Sequence, residues 1–234
     1  MNGTSKDYLA EAKSYLDKNQ IIAVGFDYWF TLVKAKESGR VERTAKIIGI
    51  PLEMVSEAWS ELQRISFRTT KGFVEKLLTN LGISEDSRKY EDFKKKLCKY
   101  YDSDAINCEV YPDVIDTLSY LKKKKYKLGI LSNMHSPYKK SFYGLNLNKF
   151  FDATCFSDEI GAKKPNSSAY SSMISRLGLP LYRSGILFVG DEPSNDAIVP
   201  RESEGLPALL LDRENKHKNI PYRIQSLTDL TDLL

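Results

Sequence analysis

Apolar positions along this chain keep two rhythms. The segments "IIAVGF" (21–26), "KLGILS" (127–132), "GILFVG" (185–190) and "PALLLD" (207–212) are short and almost wholly apolar, the pattern of strands buried on both faces. "DATCFS" (152–157) is a weaker example of the same kind. Between them the apolar residues fall at helical spacing. "DVIDTLSYLKKKKY", "NSSAYSSMISRLG", "PSNDAIVPRESEG" and the closing "SLTDLTDLL" predict helices, with a shorter one over 136–143. Near the start, Tyr8, Leu9, Ala12, Tyr15 and Leu16 predict a helix over 4–18, with Thr4 or Ser5 as its cap. Strands alternating with helices predict an α/β fold built on a doubly wound parallel sheet.

From 34 to 108 the strand rhythm stops. "EMVSEAWSELQRISF", "GFVEKLLTNLG" and "YEDFKKKLCKYY" are amphipathic helices by their spacing, and Trp59 with its neighbours reads as their core. The expectation is a helical insertion into the α/β core. A chain of 234 residues is long enough for one core domain plus such an insertion.

Composition narrows the possibilities. The 35 basic residues exceed the 31 acidic ones by little and form no dense stripe, which argues against nucleic-acid binding. The run Lys122 to Lys125 reads as a solvated helix end, where cations suit the dipole. No apolar stretch reaches the length of a membrane span, and Asp7 and Glu11 leave no room for a secretory signal. The odd count of 3 cysteines, widely spaced, suggests reduced thiols. These features predict a soluble cytoplasmic protein, with Cys155 as a small buried residue. They leave the oligomeric state open.

The chemistry collects at strand ends. In doubly wound sheets ligands bind beyond the carboxyl ends of the strands, and three of those ends carry Asp27, Ser132 and the pair Gly190-Asp191. A single carboxylate there is most simply a turn residue. Four polar stations in order, "DYWFTL", "ILSN", "KKP" and "VGDEPSND", are a much more specific pattern. His135 reads as a partly exposed loop residue beside the second station.

With these motifs the sequence resembles the haloacid dehalogenase-like hydrolase superfamily, in its helical-cap branch, over nearly the whole chain. The resemblance implies a Rossmann-like core of residues 1–33 and 109–234 and a helical cap of residues 34–108. It implies Asp27 as nucleophile and Lys164, the lysine before proline, as its charge partner. Thr31, Ser132 and Asn133 would serve the phosphate, and Mg²⁺ would sit on Asp27, the backbone carbonyl of Trp29, Asp191 and Asp196. The physics agrees: a carboxylate can take up a phosphoryl group, and a hard dication with oxygen ligands offsets the charge of an anionic ester. A nearby ammonium keeps the attacking carboxylate ionised.

Trp29 breaks the pattern. The superfamily's phosphatases place a second Asp there to protonate the leaving alcohol, whereas an indole N–H has no titratable proton to give. Three readings follow. The first is a Mg²⁺-dependent phosphohydrolase of a small phosphorylated substrate that uses a good leaving group or another acid, for which Lys34, Lys36, Glu37 and Glu192 are candidates. The second is a metal-independent 2-haloacid dehalogenase, and the third is a protein that binds Mg²⁺ and a phospho-ligand without turnover. The retained "GDEPSND" carboxylates favour the first.

Overall fold

The computed structural model describes residues 7–37 and 39–234. In chain order its strands are β1 (Ala23–Phe26), β2 (Val33–Ala35), β3 (Cys108–Val110), β4 (Lys127–Ser132), β5 (Ala153–Phe156), β6 (Ile186–Gly190), β7 (Ala208–Leu211) and β8 (Arg223–Ile224). Six of them form one parallel sheet in the order β5-β4-β1-β6-β7-β8. The chain builds outward from β1 to β4 and β5, then returns to the other side of β1 with β6. That reversal is the topological switch point at which open α/β sheets bind ligands. This is the doubly wound parallel sheet that the apolar runs predict, in the Rossmann-like form that the resemblance implies.

Helices cover both faces of the sheet. On one side Met173 and Ile174 of the helix Ser167–Arg176 pack with Phe188, Leu131 and Cys155, all buried. Asn166 starts that helix by accepting a hydrogen bond from the Ser168 N–H at 2.9 Å. The approach is so close that a Cβ on Gly25 of β1 would lie 2.7 Å from Met173 Cε and 2.9 Å from Phe188 Cδ2, so a larger residue would have to displace these side chains. On the other side α1 (Asp7–Leu16) contributes Ala12 and Leu16 to a second core. The proposed caps Thr4 and Ser5 lie outside the described residues.

The second core continues into the inserted helices α2 (Arg40–Ile48), α3 (Leu52–Leu62), α4 (Thr70–Asn80) and α5 (Tyr90–Asp104). Val55, Ala58, Trp59 and Leu62 form the buried stripe of α3, and Phe73, Val74, Leu77 and Leu78 that of α4. The antiparallel pair β2–β3 closes the insertion at its base, Val33 opposite Val110 and Ala35 opposite Cys108. Helix α2 and both of these strands were not expected from the sequence. Strands of 3 residues with mixed polarity give no period to read.

A charged and aromatic junction joins the insertion to the sheet side. Asp104 at the end of α5 is 5% exposed and accepts from Arg40 Nε at 2.9 Å, Arg43 at 3.2 Å and the Tyr138 hydroxyl at 2.9 Å. The Arg40 guanidinium lies between two rings, 4.1 Å from the centroid of Trp29 and 4.2 Å from that of Tyr138. Beside it His135 is buried rather than exposed, which corrects the sequence expectation. Its ring meets the Trp59 ring at 4.4 Å, and Nε2 lies 2.8 Å from the Trp59 carbonyl oxygen. A carbonyl only accepts, so Nε2 carries the proton. Burial lowers the imidazole from 6.5 to about 3, against the pull of that hydrogen bond.

His135 therefore stays neutral where an unfolded histidine takes up a proton. Its contribution to stability is complete above pH 6.5 and is lost as pH falls toward about 3. His135→Gln keeps an N–H donor without a titration. Below pH 6.5 the wild type should lose stability relative to this variant by about 1.4 kcal/mol per pH unit. Urea unfolding of both proteins at pH 7, 5.5 and 4.5 reads this directly, because other titrating groups cancel in the difference. A pH-independent difference would contradict it.

Candidate active site

Strand β1 delivers Asp27 to the carboxyl end of the sheet. The Asp27 N–H still donates to the Val189 carbonyl at 3.0 Å, so the ladder with β6 holds its backbone while the next residues turn away. The turn is fixed by Leu32 N–H and Val33 N–H donating to the Tyr28 carbonyl at 2.9 and 3.1 Å, and by Phe30 N–H donating to the Val33 carbonyl at 2.7 Å. Within it Phe30 has φ of 60°, a left-handed conformation that costs a side chain with a Cβ about 1–2 kcal/mol.

Lys164 joins the stations. Its Nζ lies 2.7 Å from Asp27 Oδ1 and 2.6 Å from Asp196 Oδ1, and all three residues are buried. The lysine backbone is clasped by Asn133, whose Nδ2 donates to the Lys164 carbonyl at 2.9 Å and whose Oδ1 accepts from the Lys164 N–H at 2.8 Å. Asp196 is turned back toward the strand, its Oδ2 accepting from the Glu192 N–H at 3.0 Å. This needs Gly190: a Cβ there would lie 2.6 Å from the Asp196 Cβ. The segment Pro193–Ile198 is a π-helical turn, not the α-helix expected, and Pro200 following it has no N–H for the carbonyl of Asp196. Asp191 accepts from the Thr31 hydroxyl at 3.0 Å.

Three carboxylates, of Asp27, Asp191 and Asp196, bring one oxygen each within 4.8 Å of one another. One ammonium cannot balance them. Burial raises Asp27 from 3.8 to about 6, with Lys164 opposing and Asp196 adding to the rise. Burial, then repulsion from Asp27 and Asp196, raises Asp191 from 3.8 to about 8. For Lys164 burial works against the charge, yet Asp196 and Asp27 together push it above its ordinary value. Two negative charges in excess, carried by hard oxygens, fit a hard dication such as Mg²⁺.

Asp27, Lys164, Asp191 and Asp196 line a cavity of about 190 Å³ together with Trp29, Phe30, Ser132, Asn133, Glu192 and Asn195. Thr31 is buried behind it, and its hydroxyl serves Asp191. Ser132 is at the wall, while the Asn133 amide is engaged on Lys164. Of the acids considered from the insertion, Lys34 pairs with Glu109 at 2.8 Å, Glu37 pairs with Arg43, and neither they nor Lys36 lines the cavity. Glu192 does line it, with its carboxylate accepting from the Asn195 N–H as the cap of the turn. The Trp29 ring stands edge-on to Tyr28 at 5.1 Å and to Tyr138 at 6.0 Å. So the residue in the place of an acid ties this loop to Arg40 of the insertion. Sequence spacing missed Phe30, Arg40 and Tyr138; an aromatic residue where a turn needs φ above zero was the one signal for Phe30.

The comparisons with known proteins agree with this geometry. Residues 15–203 match the model of the family described as haloacid dehalogenase-like hydrolase. A curated relative, the glyceraldehyde 3-phosphate phosphatase of Methanothermobacter thermautotrophicus, is 28% identical over 211 residues, 82% of this chain and 86% of its own. Among solved structures, an HAD phosphatase from Thermococcus onnurineus superposes with a TM-score of 0.61 at 22% identity, covering 91% of this chain and 97% of that one. A 2-haloacid dehalogenase from Pseudomonas syringae does so with a TM-score of 0.66 at 19% identity, over the same shares. The family match spans most of the chain and every station of the site, and the protein belongs to the haloacid dehalogenase-like hydrolases.

Proposed function

We propose that the protein is a Mg²⁺-dependent phosphohydrolase of a small phosphorylated substrate, working through a phosphoryl group carried on Asp27. The observation that supports this most is the group of three carboxylates, of which Asp27 and Asp196 share Lys164, because Asp191 and Asp196 are beyond what a metal-free displacement by Asp27 needs. The relative named as a phosphatase supports the same substrate class. Residues 34–108 act as a cap over a core of residues 1–33 and 109–234.

In this reading an Asp27 oxygen attacks phosphorus, and the bond to the leaving oxygen breaks with its electron pair going to that oxygen. Water then attacks the phosphorus of the aspartyl phosphate. This returns the Asp27 carboxylate and releases inorganic phosphate, and the water's protons pass to the oxyanions and solvent. Lys164 keeps Asp27 ionised for the attack, and Asp196 and Asn133 hold Lys164 in place. Ser132 is the side-chain donor for a phosphoryl oxygen. Mg²⁺ held by Asp27, Asp191 and the Trp29 carbonyl would offset the charge on the phosphoryl group. Asp196 would stand beside this ligand set, its oxygens accepting from Lys164 and from the Glu192 N–H.

Asp27→Asn should abolish turnover and leave the fold intact, since the amide is nearly isosteric. With Mg²⁺, beryllofluoride should bind the wild type and not the variant in a calorimetric titration. Retained phosphate release by the variant would remove Asp27 as nucleophile, and full halide release from a haloacid in excess chelator would favour the dehalogenase reading.

With Trp29 in place of an acid, the rate should depend steeply on the leaving group. Aryl and acyl phosphates depart without a proton, and alkyl phosphates should lag by about 10²–10⁴-fold, the usual worth of general acid or base help. Trp29→Asp should narrow that gap, although losing the ring that packs on Tyr138 and Arg40 lowers stability. Equal wild-type rates for phenyl and methyl phosphate, with chemistry rate-limiting, would mean that another residue delivers the proton.

A further inference from the structure

A second cavity, also about 190 Å³, lies beside the catalytic one and shares Phe30 and Asp191 with it. It opens at the carboxyl end of β7, where Leu211, Asp212 and Arg213 leave the sheet, and Tyr111, Glu214, Lys216 and His217 complete its wall, Lys216 being paired with Glu214. Phe30 is thus the partition between the two spaces. Its ring is 46% exposed and its φ of 60° is a conformation that glycine adopts freely. Tyr222, the other aromatic residue with positive φ among the described residues, is explained by stacking on Tyr15 at 4.0 Å. The Phe30 ring takes part in no such aromatic pair among the described residues. A bulky side chain held in this conformation at the lip of a site marks a functional constraint.

The far wall carries donors. Arg213 is fixed by two hydrogen bonds to Asp113, at 2.8 and 3.1 Å, and stacks on Tyr111 at 3.9 Å. Its Nε is left without a partner. Lys216 and His217 lie on the loop that folds around the buried Asp212, whose two oxygens accept the backbone N–H groups of both residues at 2.8 Å. The lining is therefore apolar and aromatic at Phe30, Tyr111 and Leu211, with side chains of both charge signs around them. A cavity of about 150 Å³ is enough for one benzene ring.

We propose that the second cavity is the leaving-group subsite, and that Phe30 selects phosphate monoesters of flat, ring-bearing alcohols. This rests on the phosphohydrolase reading and deepens it: a ring-bearing phenolate is also a group that leaves without a proton.

Affinity and turnover separate the two ideas. In the Asp27→Asn variant with Mg²⁺, calorimetry should find phenyl phosphate binding about tenfold tighter than methyl phosphate, the scale of one aromatic contact. Adding Phe30→Gly should bring phenyl and methyl phosphate to equal affinity. This variant relieves the backbone, so misfolding does not explain a loss, and Phe30→Tyr should keep the preference. Phenyl and methyl phosphate binding alike in the Asp27→Asn variant, or a preference that survives Phe30→Gly, would overturn the proposal. Absence of phosphate release by the wild type, with the binding preference intact, would instead overturn the phosphohydrolase reading alone.

Discussion

The ammonium of Lys164, buried between Asp27 and Asp196, is the contact on which the arrangement of this site depends. It couples residues from three parts of the chain: the end of β1, the segment after β5 and the turn after β6. An isolated ammonium in such a place would lose its proton, and isolated carboxylates would gain one. Together they hold their charges, but not in balance. Asp191, a further carboxylate beside the pair, leaves the group short of positive charge and is itself pushed up to about 8. The electrostatic deficit and the substrate chemistry point the same way, since a dication that fills the deficit also serves a phosphoryl group.

Much of the surrounding structure works to keep that lysine where it is. Asn133 clasps its backbone, Gly190 leaves room for the Asp196 side chain, and the π-helical turn carries Asp196 back toward the strand. Trp29 belongs to a different part of the design. Its ring and that of Tyr138 both pack against Arg40, and Arg40 binds Asp104, so the loop after β1 is anchored to both ends of the helical insertion. The position that usually handles a proton has become a packing contact.

The sheet and the stations of the site were legible in the sequence because each rests on a local signal. All-apolar runs mark buried parallel strands, and Asp27, Ser132, Lys164 and the Asp191–Asp196 pair stand at or after strand ends in motifs of fixed order. What escaped depends on contacts distant in sequence. Helix α2, the strands β2 and β3 and the burial of His135 under Trp59 follow from packing between the insertion and the sheet. Thr31 and Asn133 sit in the right motifs, yet their hydrogen bonds go to Asp191 and to the Lys164 backbone, which no spacing could indicate. The π-helical turn was hidden for a similar reason, since Gly190 matters there through the space it leaves for Asp196 and Pro200 through the N–H it lacks.

The most direct test of the account is Mg²⁺ binding to the protein without substrate, followed by calorimetry at pH 7 in buffers of different ionisation enthalpy. With Asp191 raised to about 8 by burial and by its neighbours, a cation that restores balance should expel close to one proton as it binds. Asp191→Asn should weaken binding about tenfold or more and abolish that proton release. Mg²⁺ binding of equal strength in wild type and variant, or no binding at all to the wild type, would contradict the claim that the charge deficit around Lys164 is a metal site.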